Sequence, residues 1–376
     1  MGSTPWGPFR GLLHAIEQIR SENGWAAYSK FRQSYVTDLD EADWDALRLF
    51  FAAHADLMAQ ILCLADCPED VCASGFWDML SEHTEKYVSC GEPTLLLTAR
   101  VALSTHDDER ETALEDLMAA VRLANLFLRE KEVFYRMPHV SSLGIVLHHL
   151  SVTMPESFLA PEQYRGFIRE LGQIDVYGNL EGLLLRSLDE NSATFDQIRR
   201  EGISSWHSGG FLYKQYMRFY GSPLARPLLD IDEARSMEFG ERVAALSERP
   251  AYQTREELAR LQAEFCGPGF GRVFTRLCSF QARLTTTWSR NETQIELARL
   301  GLAIGIHRAE TGAYPQTLAD VAHELGGSVP VDPFTGASYV YRPGDDAFLL
   351  YSVGPDFEDD GGNPDFREGD IVWRGE

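Results

Sequence analysis

Between Asp345 and Asp370 the chain carries nine acidic residues and a single basic one, Arg367. Carboxylates packed this densely repel one another unless solvent or a cation relieves them. The same stretch holds Gly354, Gly361, Gly362 and Gly369, which let the backbone turn its carbonyls inward. That chemistry suits a hard cation better than it suits a reaction. Calcium takes about 6–8 oxygen ligands from carboxylates, backbone carbonyls and water in flexible geometry. Asp356-x-Glu358-x-Asp360-Gly361 opens like an EF-hand loop, but the twelfth position would be Arg367 where a bidentate Glu is required, and no helix pair flanks it. A calcium loop of non-EF type is therefore expected here, against the plainer alternative of a solvated acidic turn closing a hairpin.

Other residues that could do chemistry offer less. His148 and His149 are adjacent and diverge by about 100° on a helix, so with His139 they do not form a ligand face. No His-Glu-x-x-His occurs. Asp189, Glu190 and Asp196 fall within the third long helix, where salt bridges to arginines of neighbouring helices are the expected use. Gly267-Pro268-Gly269-Phe270-Gly271 follows no strand and lacks the form of a phosphate cradle. Neither a Gly-x-Ser-x-Gly elbow nor a P-loop is present. No catalytic residue is assigned. Among the six cysteines, Cys63-x3-Cys67-x4-Cys72 is not a zinc spacing. Buried thiols are the first expectation for them and disulfides the second.

The elements that must position these residues read as helical for the first two-thirds of the 376-residue chain. Trp44, Leu47, Phe51, Met58, Ile61 and Leu62 keep helical spacing behind the N-cap candidate Asp40, with Pro68 as the stop. Leu114 to Leu128 repeat the pattern behind the polar loop Thr105 to Asp108, and Leu180 to Ile198 give a third stripe ending near Gly202. Residues 138–153, 161–174, 231–247 and 255–265 read as further helices between prolines. The expected fold is mainly α, a bundle or short solenoid of helical hairpins, over residues 1–285. The stretch Ser204 to Gly210, with aromatics through Tyr220, reads as a surface loop. From 286 to 376 the pattern predicts a small α+β module. It comprises a helix Glu292 to Glu310, a short helix Thr317 to Leu325, and a hairpin of Ser338–Arg342 with Ala347–Val353 about the turn Pro343-Gly344-Asp345-Asp346.

A formal net charge of −23 argues against nucleic acid and anionic lipid surfaces as partners. No run reaches the ~18 consecutive apolar residues of a membrane span. Met1-Gly2-Ser3 has the look of a cloning remnant that replaces a native leader or anchor.

The C-terminal residues carry a resemblance. Ala298-Arg299-Leu300, His307 to Pro315, Leu318, Asp332-Pro333-Phe334-Thr335-Gly336 and Tyr351-Ser352-Val353-Gly354-Pro355-Asp356 resemble the major pseudopilin of type II secretion over residues 291–376. In that family the final loop binds calcium. The resemblance implies that Asp356 and Asp370 are the flanking ligands, that Ser352 offers its carbonyl, and that Asp359, Asp360 and Asp365 lie in the variable middle. A pseudopilin begins with a hydrophobic stem, whereas here the helix follows the polar run Arg283 to Asn291. The whole chain also resembles a family of membrane-anchored bacterial envelope proteins of planctomycete type. Ala113 to Leu117, Arg122-Leu123-Ala124 and Arg226 to Leu229 carry that likeness, which implies an extracytoplasmic location. Three functions follow as expectations. The first is a non-enzymatic envelope scaffold that binds an envelope protein and carries a calcium-stabilised C-terminal module. The second is a hydrolase with a site near His139 to His149 and Trp206 to Tyr220. The third is an accessory component of a secretion or pilus-like system.

Overall fold

The computed structural model describes residues 15–16, 18–19, 24–34, 39–66, 91–128, 142–144, 146–147, 150–151, 159–201, 219, 222–267, 275, 280–363 and 369–375. The chain is mainly helical with a small three-stranded antiparallel sheet, and it divides into two compact units. The first comprises Met1–Val176 with Arg290–Glu376, the second Tyr177–Ser289. The division expected at 285/286 lies close to the junction at Ser289/Arg290, and the C-terminal module groups with the N-terminal helices.

In the first unit, helix α1 spans Gly24–Ser34 and α2 Glu41–Ala53. Asp40 caps α2 in a reciprocal box: its carboxylate accepts from Asp43 N at 3.0 Å, and Asp43 Oδ2 accepts from Asp40 N at 3.1 Å. The continuous helix expected from Asp40 to Pro68 is instead broken at His54, after which α3 (Ala55–Ala65) sets off at 75°. No proline or glycine marks this break. His54 packs its ring edgewise on Phe50 at 4.8 Å, and Leu57, Met58 and Ile61 of α3 are buried in their turn.

Helix α4 (Glu92–His106) has no counterpart among the sequence-based expectations. Every side chain from Glu92 through Ala99 is buried, so no polar face remains to produce an amphipathic signal. It turns at Asp107 and Asp108 (φ 57°) into α5 (Arg110–Leu128). The buried Asp116 carboxylate of α5 is bound by Arg100 of α4 through both oxygens. Helix α6 is Pro161–Leu171.

The second unit holds α7 (Leu180–Glu201), α8 (Arg226–Ala244) and α9 (Ala251–Cys266). Pro227 stands in the first turn of α8 instead of ending a helix, where its missing N–H costs nothing. Phe195, Ile198 and Leu229 form a core between α7 and α8. Arg199 of α7 spans the same pair of helices to Asp230 at 2.8 Å and to Glu233. The buried Asp232 carboxylate accepts from Thr275 N at 3.0 Å and from its hydroxyl at 2.7 Å.

Helix α10 runs from Phe280 to Thr311, well before the expected start at Glu292. Its polar opening has poor intrinsic propensity, but Leu284, Thr285, Trp288 and Ser289 are buried, so packing overrides it. Gly312 (φ 80°) ends it. A 3₁₀ helix, Leu318–Leu325, follows and stops at Gly326 and Gly327, both left-handed. The sheet has the order β1 (Val340–Pro343), β2 (Phe348–Ser352), β3 (Ile371–Gly375), with Tyr341 opposite Leu350 and Leu350 opposite Trp373. Trp373 lies on Gly301 of α10 so closely that a Cβ there would collide with its indole. Glycine is what lets the sheet approach the helix.

The module is also tied to α6. Arg165 is held by Glu324 of the 3₁₀ helix at 2.7 Å and by Glu310 of α10. This contact keeps residues 310–325 against the N-terminal helices of the same unit.

Candidate functional site: the acidic loop

The acidic loop joins β2 to β3, and its two ends meet at a neck. Gly354 (φ 72°) sits against the Gly369 carbonyl at a separation that leaves no room for a Cβ. Ser352, the last residue of β2, is fully buried and pairs in register with Ile371. Its hydroxyl accepts from Gly354 N at 3.2 Å and also bonds the buried carboxylate of Asp332. Asp332 in turn accepts from Phe334 N at 2.9 Å, and Phe334 packs edgewise on Phe357 of the loop at 5.6 Å. The turn Asp332 to Gly336 and the loop neck are thus one structural unit, although the sequence separates them by a hairpin. Burial pushes the Asp332 carboxyl above the usual carboxylate range against those hydrogen bonds.

Within the loop the carboxylates turn to backbone N–H groups. Asp356 Oδ1 accepts from Glu358 N at 3.0 Å across Phe357, a non-glycine residue at φ 66°. Such side-chain turns let an Asp hold its own loop. Asp359 Oδ1 accepts from Gly361 N at 2.9 Å and from the Tyr351 hydroxyl at 2.8 Å, and both bonds pull its pKa down, the tyrosine more. Tyr351 is itself engaged by Arg342 of β1 at 3.1 Å. Asp370, only 2 % exposed, accepts from Gly362 N at 2.6 Å and Asp360 N at 3.4 Å, so the loop is wrapped about it. Burial raises the Asp370 pKa, those N–H groups oppose the rise, and the neighbouring charges of Asp359 and Asp360 add to it.

The expected ligands therefore sit as follows. Ser352, Asp356, Asp359, Asp360 and Asp370 gather in one loop, and Asp365 lies outside the described residues. No group of three or more His, Cys, Asp or Glu side chains converges closely enough to hold a metal among the described residues. Each carboxylate nonetheless keeps oxygen lone pairs beyond the N–H bonds it accepts. A hard cation held here would need backbone carbonyl oxygens as well as carboxylates, since the described side chains alone do not converge into a ligand set. The sequence reading missed Asp332, Tyr351 and Arg342 as supports of the loop. The Asp332-Pro333 turn was visible as a motif, but its pairing with Ser352 is a tertiary fact.

The remaining candidates scatter. His139, His148, His149, Trp206 to Gly210 and Tyr220 fall outside the described residues, as do Pro268 to Gly271 and the cysteines other than Cys63 and Cys266. Cys63 is an exposed free thiol, and Cys266, half-buried, turns its thiol to the Thr275 carbonyl at 3.7 Å. Asp196 pairs with Arg199 of its own helix at 3.0 Å. Asp189 borders a shallow groove between α7 and α8, with Leu185, Arg186, Met237 and Glu241 beside it. No single helix among the described residues is long and apolar enough to cross a membrane. Compared with family models, curated proteins and solved structures, the chain matches none.

Proposed function

We propose that the chain is a non-enzymatic scaffold or interaction protein of the cell envelope, whose C-terminal module is pseudopilin-like and stabilised by calcium. The observation that carries this reading is Asp370: a carboxylate almost wholly removed from solvent, close to the charges of Asp359 and Asp360, in a loop where no Arg or Lys forms an ion pair with it among the described residues. Buried charge without a counter-charge is costly, and a divalent cation is the counter-charge this loop is short of. Asp356, Asp359, Asp360 and Asp370 would hold the ion, with Ser352 or its neighbours adding carbonyl oxygen. Bound calcium would supply charge neutralisation and cross-bracing, not catalysis. A long helix packed through Gly301 on a three-stranded antiparallel sheet, with a closing acidic loop, supports the pseudopilin-like comparison.

The scaffold reading draws on the same economy. The module is fastened to α6 through Arg165, and arginine–carboxylate pairs brace the described helices of both units. Each unit, braced in this way, presents a surface on which an envelope partner could assemble. Calorimetric titration of the full chain with calcium is the test. Heat that saturates at a one-to-one ratio is expected, and its disappearance in Asp356→Ala ties it to the loop. No heat at millimolar calcium would remove the cation from the account.

A further inference from the structure

The shallow groove between α7 and α8 belongs to the second unit. Its floor is Leu185 and Leu188 of α7 with Met237 of α8, and Leu185 is 40 % exposed. Asp189 and Glu241 stand four residues beyond Leu185 and Met237, so each shares a helix face with its apolar neighbour. The two helices are antiparallel. Arg199, near the end of α7, pairs with Asp230 near the start of α8 at 2.8 Å, and Glu181 N, at the start of α7, donates to Glu248 just past the end of α8 at 3.3 Å. The carboxylates of Asp189 and Glu241 therefore flank the floor at its opposite ends, about 10 Å apart along the axis. Together with Arg186 beside them, their side chains form no ion pair or hydrogen bond among the described residues. Further along the same helices the carboxylates are matched: Asp196, Asp230 and Glu233 all turn to Arg199.

A small ligand fits such a groove poorly, because a drug-sized molecule loses roughly 70–90 % of its surface in its pocket and this floor is open. A second copy of the chain is disfavoured by charge. Acidic and basic residues balance over Tyr177–Ser289, so the formal charge of −23 falls on the first unit, where it repels a like chain and attracts a basic one. We propose that the groove docks one amphipathic helix of a basic partner protein. Leu or Met at two adjoining positions of that helix fills the floor, and Lys or Arg about seven residues apart, one on each side of the apolar pair, meets Asp189 and Glu241. Arg186, on one wall only, takes a partner carboxylate and sets which way round the helix lies. The inference gives the scaffold reading a surface and a partner chemistry, and rests on it only in taking the partner to be a protein.

The test is fluorescence anisotropy of the full chain, in chelator, with a labelled helical peptide of about 18 residues that carries this Lys and Leu pattern. Saturable binding is expected, and it should weaken about tenfold or more when Asp189→Lys and Glu241→Lys are combined. Glu256→Lys combined with Glu257→Lys makes the same charge change on exposed positions of α9 and should alter binding by less than about twofold. Equal losses in the two double variants would show only general attraction to an acidic chain and would overturn the groove. So would a peptide with Ser in place of Leu that binds as tightly as its parent, or a parent peptide that does not bind. Should the Asp189→Lys, Glu241→Lys protein not fold, Leu185→Ser decides the matter: a loss of about fivefold or more supports the proposal, and unchanged binding refutes it. The chelator keeps the two readings separable. A saturating calcium response without peptide binding overturns the groove alone, and peptide binding without a calcium response supports the groove while removing the cation.

Discussion

Along α4 and α5, and between α6 and the 3₁₀ helix, three carboxylates are met by guanidinium groups: Asp116 by Arg100, Asp107 by Arg48, Glu324 by Arg165. In the loop between β2 and β3 they are met by backbone N–H groups and one phenol. The helices can supply arginines because side chains from two rods face each other at fixed positions. Among its described residues the loop is held mainly by its own backbone, and an N–H dipole compensates a full charge only in part. Arg342, the nearest basic side chain of β1, engages Tyr351 and acts on Asp359 from a distance. Each of those three carboxylates faces a guanidinium, whereas among the described residues of the loop no Arg or Lys forms an ion pair with a carboxylate. On the proposed reading, a bound cation would supply the counter-charge that the loop lacks.

The largest expected effect comes from breaking the guanidinium pairs at the most buried of their carboxylates. Arg100→Ala leaves the Asp116 carboxylate, fully buried, without its partner, and should cost about 3 kcal/mol in chemical denaturation. Because burial already raises the Asp116 pKa, the loss should shrink at acidic pH as the group goes neutral. A constant loss across pH would mean that Arg100 acts through packing alone. Next is Gly301→Val, which thrusts a side chain into Trp373 and should destabilise by about 2 kcal/mol, with loss of the native tryptophan signal. An unchanged midpoint would mean that β3 does not depend on this contact.

Asp370→Ala should remove about 1–2 kcal/mol by orphaning the Gly362 and Asp360 N–H groups, and should do so even in chelator. This variant separates the role of Asp370 as an internal acceptor from any role as a ligand. The smallest effect belongs to Arg48→Ala, under about 1 kcal/mol, because its pair with Asp107 is partly solvated. Arg48, chiefly through hydrogen bonding, holds Asp107 down to about 2 from 3.8. Its contribution is therefore present above the ordinary value and is lost as pH falls through about 2, so wild type and variant should converge in strong acid.

How far the sequence foretold this depends on the element. Helices with one apolar stripe, such as α5 and α7, were legible because burial on one face imposes a period. Helix α4 was not, since a helix buried all round has no period to detect. The break at His54 carried no glycine or proline, and the early start of α10 runs through threonines, so both are decisions of packing. The hairpin and the acidic loop were legible from turn residues and charge density. The partners of that loop were not, because Asp332 reaches Ser352 only through the fold, and Asp370 looked like a flanking ligand when it is also the centre about which the loop is wound.

The comparison comes down to whether the loop's leftover charge binds a cation. The direct measurement is the thermal midpoint of the full chain in chelator and then in millimolar calcium, with Asp356→Ala alongside. At a hundredfold excess over its dissociation constant, calcium should stabilise the folded form by about 2.7 kcal/mol. A clear rise in wild type that is lost in Asp356→Ala is the predicted result. Identical midpoints with and without calcium would contradict it, and would leave the loop as an acidic turn held by its own backbone.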